Sequence, residues 1–123
     1  MKTAAFSTSL SVRDIAASRA FYETLGFEAM GGDPDQGWLI LKSGATIIGL
    51  FQNMFEGNRL TFNPGWDQDA QEVNPFDDVR AIANRLREAG HDLGEENLPE
   101  TGGPGSFIVT DPDGNVVMVD QHR

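Results

Sequence analysis

SLSVRDIAASRAFYETLGF, residues 9–27, changes its periodicity halfway along. Leu10 and Val12 alternate with Ser9 and Ser11, and the alternation reaches back to Phe6. Phe6, Thr8, Leu10 and Val12 share one side, and Ser7, Ser9 and Ser11 share the other. A period of two predicts a strand with one core face and one polar face. Asp14 then stands as an N-cap, and the spacing becomes helical as far as about Leu25. Ala17, Phe21 and Leu25 fall on one face by steps of four, Ile15 and Tyr22 lie seven apart, and Gly26 ends the helix as its C′ residue.

The same strand-to-helix pattern returns further on. Asp78, Ala81 and Gly90 each lie 64 residues after Asp14, Ala17 and Gly26, with Phe76 matching Val12 and Val79 matching Ile15. The second helix is predicted from about Asp78 to Ala89, with Val79, Ile82, Ala83, Leu86 and Ala89 as its core stripe. Strands are predicted at about 27–30, 37–42 and 46–52 after the first helix, with a loop over Gly32–Gly37. A strand over Arg59–Asn63 stops at Pro64-Gly65, a pairing suited to a type II turn. The chain closes on a hairpin, 106–110 and 115–120, turned at Asp113-Gly114, a dipeptide favoured where both central residues need positive φ. Residues 94–105 read as a loop, with a short strand possible at 91–93. The order β-α-β-β-β, written twice, indicates an internal repeat. The fold class is α+β in one domain, with a first module over about 1–55 and a second over about 58–123.

Composition narrows the function classes. The 123 residues carry nine basic and nineteen acidic side chains, a formal charge of −10. Nucleic acid and anionic membrane surfaces need clustered Lys and Arg, so neither is an expected partner. There is no cysteine, which removes disulfides, thiolate metal sites and a thiol nucleophile. No stretch has the length to span a bilayer, and the N-terminus lacks a signal-peptide core. A cytoplasmic location is expected. Ser7, Ser9 and Ser11 lack a placed base, and Gly102–Gly105 lacks the strand-turn-helix context of a phosphate loop.

Three stretches in this order, 9–27, Phe76–Gly90, and Asp111–Asn115 with its following apolar strand, resemble the vicinal oxygen chelate superfamily. That superfamily includes glyoxalase I, extradiol dioxygenases and fosfomycin- and bleomycin-resistance proteins. The resemblance implies two βαβββ modules whose strands curve into a cup. It also implies a divalent metal there in the enzyme members, held by His, Gln or Glu. The implied ligand positions fall here on Ser7, on Arg59 or Gln71 according to where the second module's first strand begins, and on Met118. Hard and borderline divalent metals want carboxylate oxygen or imidazole nitrogen, and a thioether is soft and neutral. No metal and no cofactor is therefore expected. His91, past a helix end, and His122, at the terminus, read as solvent-facing.

What remains is a binding surface. Ser7, Trp38, Phe51, Arg59, Trp66 and Met118 are the candidate ligand-binding residues, and no catalytic residue is assigned. Trp38 and Phe51 read either as ligand walls or as core and dimer contacts. Trp66 lies in a loop with Asp67, Asp69 and Glu72, a combination suited to a flat cationic ligand. The resulting expectation is a metal-independent small-molecule binder of the bleomycin-resistance type, a homodimer with its cleft at the subunit junction. The alternatives are a glyoxalase-like lyase or dioxygenase with atypical metal ligands, and a metal-free enzyme using Arg59 and acidic groups.

Overall fold

A computed structural model describes residues 4–123. The chain divides into two compact units: Ser7–Arg59, and Leu60–Arg123 together with the N-terminal residues up to Phe6. Along the first run β1 (Ala5–Val12), whose Ala5 and Phe6 belong to the second unit, α1 (Ile15–Thr24), β2 (Glu28–Asp33), β3 (Trp38–Ser43) and β4 (Thr46–Gln52). Along the second run β5 (Arg59–Asn63), α2 (Val79–Glu88), β6 (Gly94–Asn97), β7 (Gly105–Thr110) and β8 (Val116–Gln121). The βαβββ order thus occurs twice, and the class is α+β.

The strand order is β2-β3-β4-β1 in one module and β6-β7-β8-β5 in the other, so each first strand lies beside its module's last. β1 runs parallel to β4, with Thr8 opposite Ile48 and Val12 opposite Gln52. A parallel pair needs a crossover connection, and α1 begins it. Ile15 packs with Leu39, Leu41 and Leu50, flanked by Leu10, Val12 and Tyr22. In the second unit Val79, Ile82 and Ala83 pack on Phe107 and Val119. Full burial of side chains such as Leu41, Leu50 and Phe107 stabilises by about 1.5–3 kcal/mol each.

The helix ends repeat as the sequence predicts. Asp14 Oδ1 accepts from the N–H of Ala16 and Ala17 at 3.0 and 3.1 Å, and Asp78 Oδ1 accepts from Arg80 at 2.9 Å. Gly26 and Gly90 take φ of 99° and 92°. One residue past each, the N–H of Phe27 and of His91 donates back to Tyr22 and Leu86 at 3.1 and 3.0 Å. Those bonds close a Schellman motif in both helices. A further matched pair has no sequence precedent. Gln52, ending β4, accepts the N–H of Ile15 at 2.9 Å, and Gln121, ending β8, accepts that of Val79 at 2.8 Å.

Several expectations are corrected. On α1 the sequence offers two apolar alignments without choosing between them; Ile15 and Tyr22 supply the packed face, while Ala17, Phe21 and Leu25 face solvent, Phe21 and Leu25 each 62% exposed. The serine side of β1 is not all solvated, because Ser9 is buried. β2 runs on to Asp33 by pairing with β3, and only Pro34–Gln36 form a turn of 3-10 helix where a longer loop is expected. The short strand of the second module lies at Gly94–Asn97, after the expected 91–93. The last hairpin turns over three residues. Only Gly114 has positive φ, and the Asp111 N–H meets the Asn115 carbonyl at 2.9 Å. The turn at Pro64-Gly65 has the expected form, with Gly65 at φ 85° and Trp66 N–H donating to Asn63 at 3.3 Å.

Gln121 is 1% exposed, and its Nε2 faces Asp78 Oδ2, Arg123 O and Gly103 O at 3.0, 2.9 and 3.2 Å. Burial pushes the Asp78 carboxyl upward, but hydrogen bonds from Gln121 and Arg80 and the Arg80 charge outweigh it, leaving the group below its ordinary value. Its stabilisation is present above about pH 3.9 and is lost as pH falls through the lower folded value. Replacing Gln121 by Leu should cost about 3 kcal/mol, because a buried N–H and a carboxylate both lose a partner. Gln52→Leu, at a half-buried position, should cost about 1–2 kcal/mol. Urea midpoints should fall in that order at constant slope. A neutral Gln121→Leu would remove the amide's structural role.

Candidate functional site

In the second unit the site residues come from the ends of β5 and β8. Val119 packs under α2, so by alternation Val117 and Gln121 share its side, and Met118 and Asp120 face the other way. His122 follows with the same parity. Asp120 Oδ2 lies 3.2 Å from His122 Nε2, and its backbone carbonyl accepts from Asn63 Nδ2 at 2.8 Å. The Trp66 indole is stacked on the His122 imidazole, with centroids 4.8 Å apart and planes at 13°. The turn at Gly65 sets Trp66 in place, and a Cβ on Gly65 would meet Arg123 Cδ at 2.6 Å. The hydrogen bond to Asp120 raises the His122 pKa; burial opposes this and the Asp120 charge adds to it.

The acidic neighbours of Trp66 serve the loop itself. Asp67 Oδ1 accepts the N–H of Asp69 and Gln71 at 2.9 and 3.0 Å, and Glu72 lies 3.8 Å from Arg123 Nε. Gln71 donates its side-chain amide to Asp69 O at 3.2 Å. Because β5 begins at Arg59 and precedes α2, the second module's first strand opens on Arg59, and Gln71 lies in the loop between them.

In the first unit an aromatic wall forms on the sheet side opposite the core. Trp38 pairs across with Phe51 on β4, and Ser11 stands beside Phe51 from β1. The Phe51 and Phe55 rings are 5.3 Å apart, and the Arg59 guanidinium lies 4.5 Å from the Phe55 centroid. Ser11 Oγ donates to Phe55 O at 2.8 Å, and its N–H donates to Asn58 Oδ1 at 3.1 Å, fastening the segment that carries Phe55. Gly49 makes room for the wall, since a Cβ there would come within 2.6 Å of the Phe51 ring. Ser7 lies on the same side of β1 as Ser9 and Ser11 by alternation.

Phe51 and Arg59 thus meet through Phe55, with Trp38 opposite Phe51 on the neighbouring strand, while Trp66 and Met118 lie in the second unit with His122 and Asp120. Sequence reasoning missed that His-Asp pair. Its available signal was the parity of Met118, Asp120 and His122, which puts all three on one side of an extended strand.

The donor set does not fit a divalent metal of the kind the fold's enzyme members use. Ser7 offers a neutral hydroxyl, Arg59 a cation and Met118 a thioether. Among the described residues no group of three or more His, Cys, Asp or Glu gathers to hold an ion.

Two βαβββ modules with this strand order define an α+β class known from comparison. The family model for the Glyoxalase/Bleomycin resistance protein/Dioxygenase superfamily matches residues 5–119, and the chain belongs to that superfamily. A member of it from Vibrio splendidus 12B01 is similar at 20% identity and a TM-score of 0.66, over 97% of this chain and 99% of that one. Methylmalonyl-CoA epimerase from Mycobacterium tuberculosis is similar at 15% identity and a TM-score of 0.62, over 100% and 93%. Homoprotocatechuate 2,3-dioxygenase from Arthrobacter globiformis is similar at 19% and 0.64, over 98% of this chain and 36% of that one. These likenesses are of fold. No curated protein matches the chain. No helix among the described residues is long and apolar enough to cross a membrane.

The His122–Asp120 pair predicts a measurable pH dependence. A His with a raised folded pKa adds stability below about pH 6.5, and this is lost as pH rises through the folded value. Asp120→Asn should lower the His122 pKa, read from its imidazole proton shifts by NMR. An unchanged titration would show that Asp120 does not govern the imidazole.

Proposed function

We propose that this chain binds a flat, hydrophobic or amphipathic small molecule without a divalent metal, and that it does so as a homodimer. Met118 carries this reading. It puts a thioether on the sheet side opposite α2, at the position where the resemblance to metalloenzyme relatives implies a carboxylate. The Trp38–Phe51–Phe55 wall supports it, because aromatic faces hold a planar ligand through area and quadrupole attraction. Trp66 adds a second aromatic surface, one side of which already bears His122. The solvent-facing Phe21 and Leu25 on α1 support self-association. A second reading, metal-free proton transfer, is favoured by the His122–Asp120 pair, since an imidazole tuned by a carboxylate is a usual general base.

Purified protein should contain no stoichiometric divalent metal by elemental analysis, and Ni²⁺, Mn²⁺ or Zn²⁺ should leave its melting temperature unchanged. Proflavine and 2-naphthoate, one cationic and one anionic, serve as planar probes by tryptophan fluorescence. Phe51→Ala should weaken the bound probe about tenfold, and Trp66→Ala should cost roughly 1 kcal/mol of binding with little loss of stability. One metal per chain, or a thermal shift at near-stoichiometric metal, would sink the metal-free reading. If Trp66→Ala unfolds the protein, Trp66 belongs to the core. Sedimentation equilibrium at twice the chain mass, reduced by Phe21→Glu, tests the dimer.

A further inference from the structure

We infer that the second unit carries another binding site, on the helix side of its sheet, for an amphipathic monocarboxylate. It is independent of the aromatic wall and of the metal-free reading. The cause is the footprint of α2. Its stripe of Val79, Ile82 and Ala83 packs on β7 and β8 through Phe107 and Val119. β5 lies on the other side of β8 from β7, so the helix stops short of it. The apolar strip left between them is a cleft of about 370 Å³, walled by Ile82 and Leu86 of α2 and by Phe62, Val109, Val117 and Val119 of the strands. Small-molecule sites fall in the range of roughly 300–1,000 Å³ with this kind of lining.

Arg85, His91 and Asp111 also border the cleft, turning mainly their carbon atoms to it, so the charged ends of Arg85 and Asp111 lie beside the apolar space and not inside it. The other arginines of this unit are committed elsewhere. Arg80 bonds Asp78, Pro99 O and Gly103 O; Arg87 pairs with Glu96; Arg123 bonds Gly65 O, Val73 O and Asn74. Among the described residues no carboxylate stands within ion-pair distance of the Arg85 guanidinium. In a chain of formal charge −10, an uncommitted guanidinium beside an apolar cleft is well matched to a carboxylate, whose two oxygens fit its planar fork. Asp111 limits the occupant further. Its Oδ1 accepts from the N–H of Asp113 and Asn115, and its Oδ2 from the Asn115 amide, so the carboxylate is held in place beside the cleft. It repels every added negative charge, so the single uncommitted guanidinium is matched to one carboxylate on an aliphatic body and not to a dianion.

The test uses the isotope-labelled 123-residue chain titrated with decanoate, decan-1-ol and decylammonium at one ionic strength. Amide shifts should cluster on α2, β5 and β8, and decanoate should bind roughly fivefold more tightly than the alcohol, the scale of an exposed ion pair. Decylammonium should bind least. Arg85→Glu, at an exposed position, should reverse the order of acid and amine, and Leu86→Trp should abolish binding of all three by filling the cleft. Should Leu86→Trp not fold, the Arg85→Glu reversal decides alone. Shifts confined to the Trp38–Phe51 wall, scattered over the surface, or absent would overturn the proposal. So would an acid preference that survives Arg85→Glu.

Discussion

A side-chain amide oxygen aimed at the first free N–H of a helix organises both modules. Helices of ten residues, such as α1 and α2, fall below the roughly 12–15 at which isolated helices hold in water. Each therefore relies on tertiary anchoring. Gln52 and Gln121 supply it by joining the last strand of a module to the start of its helix. That bond fixes where the crossover begins, and hence which strand face the helix covers. The uncovered face is left for Trp38 and Phe51 in one unit and for Met118 and Asp120 in the other. The glutamines thus reinforce an assignment of faces that the apolar clusters under each helix also hold.

Much of the fold was legible because its signals are local. An aspartate before a helix and a glycine after it act through bonds spanning a few residues, and both copies read correctly. The α1 face did not, because that helix is apolar on two sides. Ala17, Phe21 and Leu25 form as regular a stripe as Ile15 and Tyr22, and only the position of Leu39, Leu41 and Leu50 selects between them. α2 offered no such choice, since Arg80, Arg85 and Arg87 crowd its other sides. β6 was illegible for a different reason. Gly-Glu-Glu-Asn has no strand propensity, and it is extended by pairing with β7, with a register shift between Gly94 and Asn97 and Glu95 at φ 44°.

The placement of the aromatic candidates was legible in the sequence, and that of the charged side chains was not. Phe51 and Trp38 declare themselves by size and strand parity. The acidity suggested a mouth for cations, yet Asp14, Asp33, Asp67, Asp78 and Asp111 all spend a carboxylate oxygen on a nearby backbone N–H. Such bonds depend on the turn each residue adopts, which composition does not encode. His122 was passed over because a penultimate residue reads as solvated, whereas Trp66, distant in sequence, gives it a stacking partner.

The assignment of Ala5 and Phe6 to the second unit has a bearing on how that unit closes. Phe6 packs on Phe62 at 5.0 Å between centroids and exchanges two hydrogen bonds with the amide of Gln68, a partner 62 residues away. The first unit is contiguous in sequence, from Ser7 to Arg59. The second closes only when Ala5 and Phe6 return to it from the far side of that segment in sequence. Loop-closure entropy makes such distant pairing slow. Replacing Phe6 would accordingly weaken the second unit rather than the one that holds the rest of β1.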